Sequence, residues 1–132
     1  GMRVSLVILA ALACCLAGCS RSRANAEVRH SSGMAIDFDA GFWDFASAES
    51  GIVLKEKSFN HPRAAVFTWS AASSDVTLRA SSQPDPSGAQ LHNIQTGKTC
   101  GGGAILLNAS YLSAQAPQFD RELKLLAGAR CP

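Results

Sequence analysis

The chain has 132 residues, the length of a single domain. Hydrophobic residues make up 47% and charged residues 17%, which is too apolar for a disordered chain. Twelve Lys and Arg against ten Asp and Glu leave a net charge of +2. A nucleic-acid binder shows a concentrated basic excess, so no nucleic-acid partner is expected.

Gly1 stands before Met2, where a native chain starts, and is set aside as a cloning remnant. From Met2 a short basic stretch (Arg3) leads into a mainly apolar run, Val4 to Ala17, followed by Gly18-Cys19. As a helix this run spans about 21 Å, short of the ~30 Å hydrocarbon core of a bilayer. Residues 1–18 therefore read as a removable signal peptide and not as a membrane-spanning helix. Leu16-Ala17-Gly18-Cys19 resembles the lipobox of bacterial lipoproteins at each of its positions, with small residues before the bond to be cleaved and a thiol after it. Cys14 and Cys15 fit less well, because Ala11 and Cys14 stand where Leu and a small residue are preferred. The resemblance implies that Cys19 takes a diacylglyceryl group and that cleavage frees its amine for a further acyl chain such as palmitate. Several chains at about 0.8 kcal/mol per buried CH2 hold a protein on a membrane without a spanning helix. Ser20 after the Cys resembles the class sorted to the outer membrane. The implied location is the bacterial cell envelope, at the outer membrane and facing the periplasm; the resemblance implies no activity.

Ser20 to Gly33 holds Val28 as its one β-branched apolar residue and no aromatic, so residues 19–33 read as a lipidated Cys and a flexible tether. All nine aromatics follow Met34, and residues 34–132 read as one β-rich globular domain. Met34, Ile36 and Phe38 alternate with Ala35, Asp37 and Asp39, the period of a half-buried strand. Phe42 to Phe45 continues it past a bulge at Gly41, and Ile52–Lys57 and Ala64–Ser70 are further strands. Asp75–Ala80 alternates again, Gln90–Gln95 is a shorter strand, and Ala104–Ala109 reads as a strand covered on both faces. Asn60-His61-Pro62 and Ser81–Gly88 read as turns. A helix follows, capped by Asp120, burying Leu123, Leu125 and Leu126, and ended by a left-handed Gly128. The expected fold is mainly β: a small antiparallel β-sandwich or open barrel with one C-terminal helix. The alternative is α+β, a single sheet with the helix packed on one face.

With Cys14 and Cys15 removed and Cys19 acylated, Cys100 and Cys131 remain in a compartment that permits oxidation, and a disulfide between them is expected. The chain-entropy model assigns such a staple about 3.7 kcal/mol.

Catalytic signals are sparse. Thr96-Gly97-Lys98-Thr99 has the end of a phosphate-binding loop, but His92 occupies the position of its first Gly, so it reads as a flexible turn. His30, His61 and His92 have no metal-ligand spacing, and Asn108-Ala109-Ser110 is a coincidental glycosylation sequon. Asp37, Asp39 and Asp44 form an acidic cluster with the oxygen chemistry for a cation, but their spacing does not match an EF-hand loop, so a solvated strand face is the expected reading. No catalytic, cofactor or metal residue is assigned, and no cofactor is expected. Phe42, Trp43, Phe45 and Phe59, with Arg63 in a polar turn, are the candidate partner contacts, because exposed aromatics mark interaction sites. The sequence thus reads as a non-enzymatic envelope lipoprotein, a tethered binding or accessory module docking onto another envelope protein. The alternative is a small periplasmic inhibitor or ligand-binding lipoprotein of the lysozyme- or protease-inhibitor type, with Ser81–Gly88 as its plug.

Overall fold

The computed structural model describes residues 26–46, 49–58 and 62–132. The signal peptide, Cys19 and the first part of the tether lie outside the described residues, as do Phe59 and His61.

Strands β1 (Ala26–Arg29) and β2 (Ala35–Phe38) pair as an antiparallel hairpin. The His30 N–H donates to the Met34 carbonyl at 2.8 Å and the Gly33 N–H to the His30 carbonyl at 2.9 Å, with Gly33 left-handed at φ 98°. Residues 26–33 therefore correct the tether reading. Ala26 and Val28 lie opposite Phe38 and Ile36 and pack against the core, so two alternate apolar residues in the right register recruit the segment.

After β2 the chain leaves this hairpin at Asp39, whose Oδ1 accepts the Gly41 N–H at 2.8 Å. It then enters a six-stranded sheet made of β3 (Trp43–Phe45), β4 (Gly51–Glu56), β5 (Arg63–Ser70), β6 (Arg79–Pro84), β7 (Gln90–Cys100) and β8 (Gly103–Ser113). The spatial order is β3-β4-β5-β8-β7-β6, every pair is antiparallel, and the sheet does not close into a barrel. The Phe42–Phe45 run is thus a strand of a different sheet from β2 and not its continuation past a bulge.

The period of two decides which face is buried. Ile52 and Leu54, Ala65 and Phe67, Ile94, and Ile105, Leu107 and Ala109 all point to one side of the sheet. There they meet Met34, Ile36 and Phe38 of the hairpin and Leu125, Leu126 and Ala129 of the C-terminal segment in one core cluster. Burying each large side chain stabilises the fold by about 1.5–3 kcal/mol. The described residues are mainly β, two antiparallel sheets with a single C-terminal helix. β8 corrects the double-covered reading: Ile105 and Leu107 are buried, whereas Leu106 is half-buried and Asn108 exposed.

Strands β6 and β7 depart furthest from the sequence reading. The alternating stretch 75–78 is irregular, and β6 instead runs through Ser81–Pro84, part of the expected turn. Every β6 residue is exposed and the strand lies at the sheet edge, where Pro84 costs no ladder bond. β7 continues through Thr96–Thr99, so that stretch is strand, not flexible turn. The reversal falls at Gly101-Gly102, with Gly102 left-handed at φ 97°. Gly97 sits where the chain crowds: a Cβ there would meet the Val76 side chain and the Ile105 carbonyl, both at 2.8 Å.

Helix α1 (Asp120–Gly128) has Phe119 at its N-cap with no side-chain cap bond. Asp120 is the first helical residue, contributing its charge to the first turn and not a cap. The buried stripe is Phe119, Glu122, Leu125, Leu126 and Ala129, whereas Leu123 is 37% exposed. Gly128 is not left-handed; the helix ends at an extended Ala129 because Arg130 pairs with Ala35, exchanging backbone bonds of 2.9 and 3.1 Å. Lys98 Nζ donates to the Ala127 and Ala129 carbonyls at 3.0 and 2.6 Å, covering the helix C-terminus. The Cys100–Cys131 disulfide fastens the segment after the helix to the end of β7, across a Cα–Cα distance of 5.9 Å.

Candidate functional site

With the hairpin and α1 on one face of the six-stranded sheet, its opposite face has no covering layer among the described residues. That open face carries Val53 from β4, Val66 and Thr68 from β5, Leu106 and Asn108 from β8, and Leu91 and Gln95 from β7. Val53, Val66, Leu91 and Leu106 are half-buried, and Gln95 and Asn108 are exposed. The link between β5 and β6 overhangs one end. Asp75, Thr77 and Arg79 rise there above Val66, Thr68 and Leu106 and enclose a concavity of about 410 Å³. Further along β5 and β8, a second concavity of about 890 Å³ lies over Ala64, Ser110 and Leu112, walled by Pro62, Asp85 and Ala89. Because Ala64 and Val66 are alternate residues of one strand, the two concavities lie one beyond the other on the same face, a two-part trough along the strands.

Both walls of the trough are fixed by short carboxylate devices. Asp75 Oδ1 accepts the Thr77 N–H at 2.9 Å and its Oδ2 faces Arg79 Nη2 at 2.9 Å. The hydrogen bonds from Thr77, aided by the Arg79 charge, hold this carboxyl below the usual Asp range. In the β6–β7 turn, Asp85 Oδ2 accepts the Ser87 N–H at 2.9 Å, which lowers that carboxyl in the same way. The turn spans only Asp85 to Ala89, with Gly88 left-handed at φ 91°, so the plug expected over Ser81–Gly88 is halved.

On the covered face, the register lines up Ser82, His92, Tyr111 and Arg63 across four strands. Arg63 Nη1 donates to both Glu122 carboxylate oxygens, at 3.0 and 3.1 Å, and to the Gln118 carbonyl at 2.8 Å. Its guanidinium lies 4.0 Å from the centre of the Tyr111 ring. Tyr111 in turn packs edge-on against Phe119, and its hydroxyl accepts the Gln118 N–H. Glu122 is fully buried. Burial pushes its carboxyl above the usual range, with the Arg63 charge working in the opposite direction. Arg63 and Tyr111 of this row fasten α1 and the preceding loop to the sheet. The sequence concealed it because its members lie far apart in the chain and meet only through strand register.

The residues singled out as partner contacts are dispersed. Trp43 is 3% exposed and belongs to the core, so it presents no surface to a partner. Phe42 is half-buried, packing edge-on against Trp43 at 4.9 Å under the Arg121 guanidinium at 4.0 Å. Phe45 is 46% exposed, beside His30 and Glu49 in a small recess. Arg63 is held by Glu122, and Phe59 lies outside the described residues. The three aspartates are engaged separately: Asp37 with Arg130, Asp39 in its own turn, and Asp44 with Lys57 at 3.7 Å. The described residues contain no group of three side chains placed to hold a metal ion. His30 Nδ1 lies 2.9 Å from Ser32 Oγ, closing the β1–β2 turn.

Among the described residues no helix is long and apolar enough to cross a membrane. Compared with protein-family models and with curated proteins, the chain matches none.

Proposed function

We propose that this chain is a lipid-anchored binding module of the bacterial envelope, tethered through Cys19 and docking onto another envelope protein through the open face of its six-stranded sheet. The observation that carries the reading is the trough. One face of the central strands is occupied by the hairpin and helix, and the other offers concavities of about 410 and 890 Å³ between two ordered walls. Its mixture of half-buried Val and Leu with exposed Asn, Gln and Thr matches a non-obligate interface, which is about as apolar as ordinary protein surface. Docking needs neither a cofactor nor a catalytic step.

A second reading is a ligand binder. The smaller concavity falls within the 300–1,000 Å³ of small-molecule sites, and Asp75, Arg79, Gln95 and Asn108 supply polar groups around an apolar floor.

The test is crosslinking in the native envelope, followed by purification through the C-terminus and mass spectrometry. One stoichiometric partner, retained by F45A and lost in L106E with native circular dichroism, is the expected result. Recovery of the protein alone, or a partner retained by L106E, overturns docking through this face. A hydrolase as partner moves the inhibitor reading ahead. The anchor is tested separately: C19S must shift the chain from the detergent phase to the aqueous phase.

A further inference from the structure

Ser82 on β6 and His92 on β7 are directly opposed, with Ser82 Oγ 2.7 Å from His92 Nδ1. On the far side of the ring, His92 Nε2 lies 3.2 Å from the Ser113 carbonyl oxygen. A carbonyl oxygen can only accept, so Nε2 carries the ring proton and Nδ1 presents its lone pair to Ser82. The Ser82 hydroxyl is then the donor, and its oxygen is polarised by a base whose tautomer is set from behind. Nucleophile, base and orienting group in that relation are the arrangement by which a serine is activated for covalent chemistry.

The exposures divide as such chemistry requires. His92 is 5% exposed and lies against Tyr111, ring centres 5.5 Å apart, which limits its freedom to turn away. Ser82 belongs to an edge strand on which no residue is buried, and its same-face neighbours Ala80 and Pro84 are exposed too. The hydroxyl is therefore open to an incoming reactant while its base stays shielded.

We propose that Ser82 is a base-activated nucleophile that accepts an acyl or phosphonyl group from an activated ester, a chemistry beyond the docking role and on the opposite face of the sheet. With an ester, Ser82 Oγ bonds to the carbonyl carbon as the bond from that carbon to the leaving oxygen breaks. The hydroxyl proton passes to His92 Nδ1 and from there to the leaving alkoxide. The step requires no oxidant, reductant or metal.

A fluorophosphonate probe tests this on the intact chain: the Ser82 Oγ–P bond forms, fluoride leaves, and mass spectrometry maps the labelled serine. The expected result is labelling of Ser82 in preference to the exposed Ser81 and Ser87, its loss in S82A, and labelling about 100-fold slower in H92Q, the scale of general-base assistance. Labelling of the urea-unfolded chain must lack the Ser82 preference. No adduct at Ser82, or equal labelling of the three serines in the folded chain, overturns the proposal. So does an undiminished rate in H92Q with native near-ultraviolet circular dichroism. If H92Q does not fold, the comparison among serines in the unaltered chain decides.

Discussion

Removing Arg63 tests the ion pair that fastens α1 to the sheet. Glu122 is fully buried, and Arg63 donates to both of its oxygens. An R63M variant keeps much of the side-chain volume but leaves a buried carboxylate without its cation. Breaking one side of such a pair costs about 3–5 kcal/mol, against a total stability of about 5–15 kcal/mol for a domain. At about 4–8 °C per kcal/mol for a chain of this size, Tm at neutral pH falls by at least about 12 °C. The pH dependence separates this cause from lost packing. A carboxyl raised in the folded state binds its proton more tightly there than in the unfolded chain. Its contribution to stability is therefore complete below the unfolded pKa, roughly 4.3, and is lost as pH rises through the folded value. Without the Arg63 charge, which lowers the Glu122 pKa, the folded value rises further and that loss grows. The gap between R63M and the unaltered chain must be widest near pH 7 and narrow toward pH 4. A residue of about 1 kcal/mol remains there for the lost Tyr111 stacking and Gln118 bond. R63M/E122L, which buries no charge, must recover most of the neutral-pH loss. Thermal unfolding by circular dichroism across pH 4–8 reads all three. A gap that stays constant over that range, or a loss under about 1 kcal/mol at neutral pH, refutes the reasoning.

Three further outcomes follow from the packing. W43A costs about 3–5 kcal/mol by urea unfolding, as for a large buried aromatic, whereas F45A stays within about 1 kcal/mol because its ring is 46% exposed. G103A places a Cβ 2.4 Å from the Ser70 carbonyl and 2.5 Å from the Trp69 ring, and loses about 1–3 kcal/mol; G101A, which meets nothing within 4 Å, is nearly neutral by the same measurement. Reducing the Cys100–Cys131 disulfide costs about 3.7 kcal/mol in the chain-entropy model, and the added hydrogen exchange concentrates in residues 120–131, which lie inside the closed loop.

Strands were legible where apolar and polar residues alternate, as in Ile36 to Phe38, and in the short apolar runs of β4 and β5, Ile52 to Leu54 and Ala65 to Phe67. The pattern misled where burial had a cause outside the segment. Val76 and Leu78 alternate like a strand, yet they belong to the link that overhangs the open face, and Leu78 is 55% exposed. The true strand beside them, Arg79–Pro84, has no apolar signal because an edge strand needs only backbone pairing with β7. The helix shows the same limit. Leu123 has the composition of a core residue, but the three- and four-residue spacing from Phe119 passes through Glu122, and Arg63 makes that position tolerable for a carboxylate.

The candidate sites were less legible than the fold for the same physical reason. The trough exists because β5 pairs with β8, residues more than thirty positions apart, and the Ser82–His92 pair exists because β6 and β7 take one particular register. Neither relation leaves a local spacing to read. The aromatic run Phe42 to Phe45 was conspicuous in the sequence, and the fold divides it by function: Trp43 inward to the core, Phe42 under Arg121, and Phe45 left at the edge of the sheet. A small domain needs its largest side chains for the core, so the surface left to meet a partner is composed mainly of Val, Leu, Thr, Asn and Gln, residues with no individual signature. L106E against F45A therefore discriminates between an interface made by the sheet face and one made by an aromatic anchor.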